Sequence, residues 1–407
     1  MAISRVRRLR RLAIDNLSGQ GESTFSLAKR KGANNVAQRG IPIGRFWGIS
    51  VALDYSWFLI VGLLAWMLAV SYYPVAFSNW TTAEYWMMGI VTAVMLFVSV
   101  LIHEFAHSLV AQQFGLPVPR ITLFLFGGVS ELESEPTRAS TEFWIAVVGP
   151  VTSFALAAFF WEIEPFFTPG RPLFALAEYL ALINLVLAIF NLIPGFPLDG
   201  GRVFRAIVWK MTGNYHRATI TAGLSGRFFG FALILLGVWR ALTGDLGGGI
   251  WIAFIGWFLE SAAGSQLQQE SVKHLLGDHK VSDAMRRDFL KVPSSISLEE
   301  LVERNLLPLG MRCAVITQFD NPVGMVTMST IREVPREEWP NTPAIQITIP
   351  LQKLTTTEPN AILWSALEKM GRDGVNQLPV VDRNEIVGML SREDILHYLS
   401  ALKALAA

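Results

Sequence analysis

The chain has 407 residues, 52% of them hydrophobic and 16% charged, with a mean hydropathy of +0.39. That balance excludes an ordinary soluble enzyme, and a net charge of +1 gives no reason to expect a nucleic-acid partner. A single cysteine, Cys313, excludes both an internal disulfide framework and a cysteine-rich zinc cluster.

Residues 1–45 carry ten Lys and Arg against Asp15 and Glu22, and contain no apolar core of a secretory signal. They read as a cytoplasmic tail obeying the positive-inside rule, or as an organellar transit peptide, being Arg-rich, serine-containing and acid-poor. Long apolar runs then fill 51–263, while most of the acids follow Glu270, so a membrane domain (46–266) precedes a soluble one. The first span is expected over 51–73, with Tyr55, Trp57, Trp66 and Tyr72 as interfacial anchors. The second, 85–114, stops at Gly115 with Pro117 just beyond.

The second span holds His103-Glu104-Phe105-Ala106-His107. On a helix the two histidines lie one turn apart on one face, where both can reach one metal ion with Glu104 beside them. His103 lies ~26 Å along the helix from Trp86, which places the motif in the cytoplasmic-facing part of the bilayer. Two imidazoles and a carboxylate are costly at that depth, so their presence points to function.

Residues 119–135 are too short to span as a helix, rich in β-formers and broken by Gly127-Gly128, so a re-entrant hairpin lining the metal cavity is expected. A third span over 141–160 contains Gly149-Pro150, a mark of kinking and close packing. A fourth over 173–193 leads into Asn191-Leu-Ile-Pro194-Gly-Phe-Pro197-Leu198-Asp199-Gly200-Gly201-Arg202. There the prolines break the helix and the glycine pair lets the backbone turn, so Asp199 can point into the bundle. Arg202, Arg205, Lys210 and Arg217 set this loop on the side of the N-terminus. With the N-terminus inside, the second and fourth spans both run inward, so the histidines and Asp199 arrive at one depth. Two more spans, 223–242 and 249–264, make six.

Catalytic zinc takes three protein ligands and leaves one position for water, which the metal acidifies. His103, His107 and Asp199 supply the three for one Zn2+ per chain, and Glu104 is the general base that returns the proton to the leaving amine. Peptide hydrolysis needs those parts. Asn191 reads either as a donor to the oxyanion or substrate strand, or as a helix-packing amide.

After 266 the composition is that of an α/β module with two similar segments, 275–335 and 343–405. Each runs through an amphipathic helix, a short apolar strand, a turn, a second strand and a helix.

Together, the His-Glu-x-x-His span, Gly127-Gly128-Val129, and Asn191-x-x-Pro194-x-x-Pro197-Leu198-Asp199-Gly200-Gly201-Arg202 resemble the site-2 protease family of intramembrane zinc metalloproteases. The C-terminal repeats resemble a tandem pair of CBS domains, and the resemblance covers 44–402. It implies an α-helical polytopic membrane domain with a re-entrant β-hairpin plus a soluble α/β CBS pair, the N-terminus and CBS domains being cytoplasmic. It also implies cleavage of membrane-spanning segments, with Gly127, Gly128 and Pro197 presenting the substrate as an unwound strand. Substrates would be tethered regulators such as anti-sigma factors. CBS pairs commonly bind adenine nucleotides and can dimerise. Gly388-x-x-Ser391-x-x-Asp394 matches the family pattern in which the carboxylate holds ribose hydroxyls, whereas Gly324-x-x-Thr327-x-x-Thr330 lacks the acid, so one nucleotide site is expected. The competing readings are a CBS-regulated membrane metal transporter or sensor, and an inactive scaffold that binds membrane helices.

Overall fold

The structure, a computed structural model, describes residues 40–406 except 126, 132–134, 320 and 384. The 1–45 tail lies outside the described residues up to position 39. The chain divides into two compact units, Met1–Leu267 and Gln268–Ala407.

Among the described residues, six helices are long and apolar enough to cross a membrane, the last running on from the first unit into the second. They are α1 (Tyr55–Ala76), α2 (Thr82–Gln113), α3 (Ala139–Phe166), α4 (Pro172–Asn191), α6 (Tyr215–Leu242) and α7 (Leu246–Gly277), with a shorter helix α5 (Asp199–Thr212) between α4 and α6. The expected count of six holds. Helix α2 has signals at both ends: Thr81 and Glu84 form a reciprocal capping box at its start, and Gly115 follows its end at φ 77°. Small residues let α1 approach it closely. A Cβ on Gly89 would strike the Ala65 carbonyl, and Tyr73 Oη shares a buried 2.7 Å hydrogen bond with Thr92.

The expected hairpin is present as β3 (Arg120–Phe124) and β4 (Gly127–Glu131), paired antiparallel with Thr122 opposite Val129. It is not isolated. Strands β1 (Ile41–Phe46) and β2 (Ile49–Leu53) precede it, and the four make one sheet in the order β1-β2-β3-β4, with β2 parallel to β3. The first span therefore begins at Tyr55 rather than 51, and β1 falls in the stretch read as tail. Its turn is Trp47-Gly48, both at positive φ (47° and 83°), a two-residue hairpin connection in which tryptophan is an unusual first residue. That choice hid the turn from sequence reasoning.

In the second unit, β5 (Lys291–Pro293), β6 (Cys313–Gln318), β7 (Asn321–Thr327) and β8 (Ile349–Pro350) form one sheet, and β9 (Gln377–Asp382) pairs with β10 (Glu385–Ser391) in another. The β6–β7 and β9–β10 hairpins repeat the same alternation of buried and exposed positions and break register at equivalent points. Val281, read as part of the first repeat, is buried with Leu363, Leu378 and Leu390 of the second. Backbone bonds from Val281 N to Ala361 O (2.9 Å) and from Arg286 N to Met389 O (2.8 Å) hold it there.

Candidate metal centre

Helix α2 places His103 and His107 on its inward face, 3% and 4% exposed. Helix α5 brings Asp199 to them as its first residue. Asp199 Oδ2 lies 3.0 Å from His103 Nε2 and 3.1 Å from His107 Nε2, and the two nitrogens are 3.1 Å apart. Among the described residues these are the one group of three His, Cys, Asp or Glu whose ligand atoms converge.

The remaining ring nitrogens decide what the triangle is for. His107 Nδ1 is 2.6 Å from the Ile145 carbonyl, which can only accept, so Nδ1 carries the proton. A neutral His107 then presents a bare Nε2 to a carboxylate oxygen and to a second imidazole nitrogen. Lone pairs facing one another at ~3 Å need a proton or a metal cation between them, and the spacing is close to the ~3.3 Å edge of a tetrahedron with metal bonds of ~2.0–2.1 Å. Two imidazoles and a carboxylate are a donor set that suits zinc. His103 Nδ1 is held by Ser153 Oγ at 2.9 Å, so both rings have a partner behind them.

Both partners come from α3, and so does a third contact. Ile145, Gly149 and Ser153 recur every four residues and form one stripe of the helix. A Cβ on Gly149 would lie 2.6 Å from His103 Nε2 and nearer still to His107, so only glycine leaves the ligand atoms free. Gly149-Pro150, expected to mark a kink and close packing, lies inside a continuous helix, and this approach is the close packing. For Gly200 and Gly201 the expected turning freedom is corrected. Neither has a positive φ; both sit in the first turn of α5, where a Cβ would strike backbone at Leu192–Ile193 or Gly195–Phe196. Close packing, rather than turning freedom, demands them.

Glu104 lies beside the triangle on α2, and the β4 backbone covers it: a Cβ on Gly128 would be 3.1 Å from Glu104 Cδ and closer to Cγ. Gly127 opens β4 at φ 129°. Pro197 is exposed in the loop before α5, and Asn191 is half-buried as the last residue of α4. The amide that reaches α2 is Asn184, two turns earlier, whose Nδ2 donates to Ser99 Oγ at 3.2 Å and Leu180 O at 2.8 Å.

Arg205, read as a topogenic charge, is buried. Its guanidinium donates to Glu142 Oε1, with Nε at 2.7 Å, and lies 4.9 Å over the rings of both Phe196 and Tyr215. Glu142 is 0% exposed. The pair ties the start of α3, one turn before Ile145, to the helix that carries Asp199. A lone glutamate at the entry to an apolar run was the available signal.

In the second unit Asp394 caps the helix Arg392–Ala406: its Oδ2 accepts from Ser391 N at 2.9 Å and Ser391 Oγ at 2.5 Å, while Oδ1 accepts from Arg286 Nε. Thr327 and Thr330 make the same cap in the first repeat without an acid.

Residues 91–170 and 167–237 match peptidase family M50, and residues 281–337 and 346–401 match the CBS domain. Rip3 of Mycobacterium tuberculosis, a zinc metalloprotease by name, is 34% identical over 89% of this chain and 93% of its own length. The similarly named sll0528 of Synechocystis is 33% identical over 89% and 96%. Among solved structures, the site-2 protease of Methanocaldococcus jannaschii aligns at 28% identity over 56% of this chain and 95% of its own, with a TM-score of 0.39. The chain is thus a multi-pass membrane protein of peptidase family M50, a site-2-protease-like metalloprotease carrying a tandem CBS pair.

Proposed function

We propose that the protein hydrolyses peptide bonds in membrane-spanning segments, with His103, His107 and Asp199 holding one Zn2+ and Glu104 handling the proton. The observation that carries this reading is the convergence of Nε2, Nε2 and Oδ2 within 3.1 Å, beside Glu104, inside the apolar helices. Zinc at that position supplies a Lewis acid that polarises the scissile carbonyl and acidifies water. The residues of the chain do the rest. Glu104 takes a proton from the attacking water and gives it to the leaving amine. Ile145 O and Ser153 Oγ keep the two imidazoles turned toward the cation, and the Glu142–Arg205 pair keeps Asp199 at their level.

The substrate segment has to be unwound, because an intact helix hides its carbonyls. Strand β4 ends its sheet, so its outer edge can pair with an extended strand next to Glu104, with Gly127 and Gly128 giving the strand room. Asn191 and Pro197 are assigned to the other side of that strand. The expected substrates are tethered regulators such as anti-sigma factors. The N-terminus and the CBS pair lie on the cytoplasmic side of the plasma membrane, or the membrane is an organellar one if the basic N-terminal segment, 1–45, is a transit peptide. An adenine nucleotide at Ser391 and Asp394 modulates activity, and the CBS pair is a route to a homodimer. A metal transporter would need ligand groups at several depths, whereas the described residues offer one.

The test is Glu104→Gln, co-expressed with a single-span substrate. Cleavage should be abolished while purified protein keeps about one zinc per chain, as three-ligand sites do. Persistent cleavage would sink the role of Glu104.

A further inference from the structure

The sheet meets helix α2 at two places. Gly128 of β4 covers Glu104, and the turn between β1 and β2 covers Phe105, with the rings of Phe46 and Trp47 edge-on to it at 6.3 and 5.7 Å. Phe105 lies between the two histidines along α2 but on the opposite face. It continues the stripe of Val94, Val98 and Ile102, which is exposed and is the side that a spanning helix turns to lipid. At Phe105 the turn takes the place of lipid, so the outer side of the turn becomes the lipid-facing surface at the level of the metal centre. Trp144 marks the same level on α3: it is exposed, and the carbonyl of its neighbour Ile145 holds His107.

The turn is built to present an aromatic ring. Trp47 is 73% exposed at φ 47°, a conformation that glycine or asparagine adopts at lower cost, and Arg45 Nε ties the turn with a 3.0 Å hydrogen bond to Gly48 O. Strand β1 is exposed along its whole length, Ile41, Ile43 and Phe46 included, whereas Ile49 and Val51 of β2 are buried. An edge strand so apolar is a liability in water. Nor can its free N–H and C=O groups lie in the acyl core, where nothing would satisfy them. The boundary between headgroups and acyl chains suits both, and tryptophan concentrates there. Basic residues crowd the sequence just before the strand, Lys29, Arg30, Lys31 and Arg39 among them, and anionic headgroups attract such a segment.

We propose that the β1–β2 turn is a membrane anchor: Trp47 and Phe46 sit at the headgroup–acyl boundary of the leaflet nearest the metal centre and hold the sheet, and with it the edge of β4, level with Glu104. The partner is the lipid surface itself. One sheet then grips α2 at neighbouring residues, Phe105 through the anchored turn and Glu104 through β4, so lipid contact at one end of the sheet sets the position of the strand at the other. The anchoring stands without the protease reading, whereas its effect on cleavage rests on that reading.

The full chain carrying Ile43→Cys and Cys313→Ala, labelled with bimane and reconstituted in vesicles of phosphatidylcholine and phosphatidylglycerol, reports the surroundings of β1. Its fluorescence should be quenched by lipid brominated near the headgroup end of the acyl chain, and little by aqueous iodide. A label at Phe319→Cys, exposed on the turn between β6 and β7, should show the reverse. Quenching by iodide alone overturns the anchor, and so does protection from both quenchers, as when a second chain covers the strand. Trp47→Gly, whose backbone suits the turn, then removes the ring without breaking the hairpin. It should keep zinc at the wild-type level, lose most of the lipid quenching at the label, and slow cleavage of a single-span reporter in the vesicles by up to about tenfold, what burying roughly half of a large apolar side chain is worth. Trp47→Tyr, which also favours the boundary, should restore both. Unchanged quenching in Trp47→Gly overturns the role of the ring, and lost quenching with wild-type cleavage overturns the link to β4. Loss of zinc would make Trp47 a support of α2 and would overturn the proposal as well. A wild type that shows lipid quenching yet cleaves nothing keeps the anchor and counts against the protease reading alone.

Discussion

The membrane unit partners two of its inward-facing carboxylates, Glu142 and Asp199, by opposite means. Glu142 has its counter-ion built in: Arg205 is buried with it, and its guanidinium lies over two aromatic rings. Asp199 faces two imidazoles, one of which has its proton committed to a backbone carbonyl on the far side. The first arrangement is balanced in charge as it stands and works as a strut. The second leaves lone pairs converging on a point where a proton or a metal cation can sit, and both are anchored to the same helix, α3. A buried acid thus reveals its role by what its partners have left to give.

Removing the acid should separate the two roles most sharply at Asp199. Asp199→Ala is expected to drop bound zinc from about one per chain to none and to abolish cleavage, since a catalytic site needs three protein ligands. Thermal unfolding of the metal-free protein should barely change, because the substitution also removes a buried negative charge. Metal analysis of the purified variant checks the first half and calorimetry with chelator the second; retained zinc would show that the third ligand is elsewhere.

At Glu142 the expectation is reversed. Glu142→Leu leaves the Arg205 charge buried and alone, which should cost about 3–5 kcal/mol of stability. Glu142→Leu/Arg205→Met removes both charges and should recover most of that loss. If the double variant stays as unstable as the single, the ion pair is not the unit that matters. Zinc content should follow stability in this series, in contrast to the Asp199 variant.

A subtler effect is expected at Gly149. Gly149→Ala puts a methyl group against both Nε2 atoms, and a loss of metal affinity of roughly 10- to 100-fold, the size seen when the shell behind metal ligands is disturbed, would appear in competition with a chelator. Gly62→Ala, where a Cβ meets nothing, is the matched control on another span. Equal affinity in the two variants would mean that α3 does not press on the histidines.

These expectations mark what was legible in the sequence. His103, Glu104 and His107 announce themselves by helical spacing, and Asp199 by its glycines and prolines at a depth that span counting supplies. The support from α3 was not legible. Ile145 contributes a backbone carbonyl, which any residue has, and Gly149 acts through the side chain it lacks. Ser153 is one hydroxyl among apolar neighbours. Arg205 looked like its surface neighbours because burial is a property of helix rotation, which the arginine-rich stretch does not encode. The four-stranded sheet was seen by half, since Trp47 occupies a turn position where glycine or asparagine would have signalled a hairpin.

The smallest effect is expected at the buried acid of the soluble unit, which combines both designs. Asp394 is 7% exposed at its side chain and accepts from Arg286, but that arginine is 57% exposed, so the ion pair is largely screened and worth less than about 1 kcal/mol. The other oxygen caps a helix through Ser391. A nucleotide ribose would have to take the Oδ1 position from Arg286. Arg286→Ala should therefore leave stability nearly unchanged and, if Asp394 holds ribose hydroxyls, tighten ATP, ADP or AMP binding by a few-fold, up to the ~1 kcal/mol that the screened pair contributes. Titration calorimetry on the full chain reads this directly. Weaker binding in the variant would place Arg286 on the nucleotide instead, as a cation for its phosphates, and would leave Asp394 as a helix cap that only resembles a ribose acceptor.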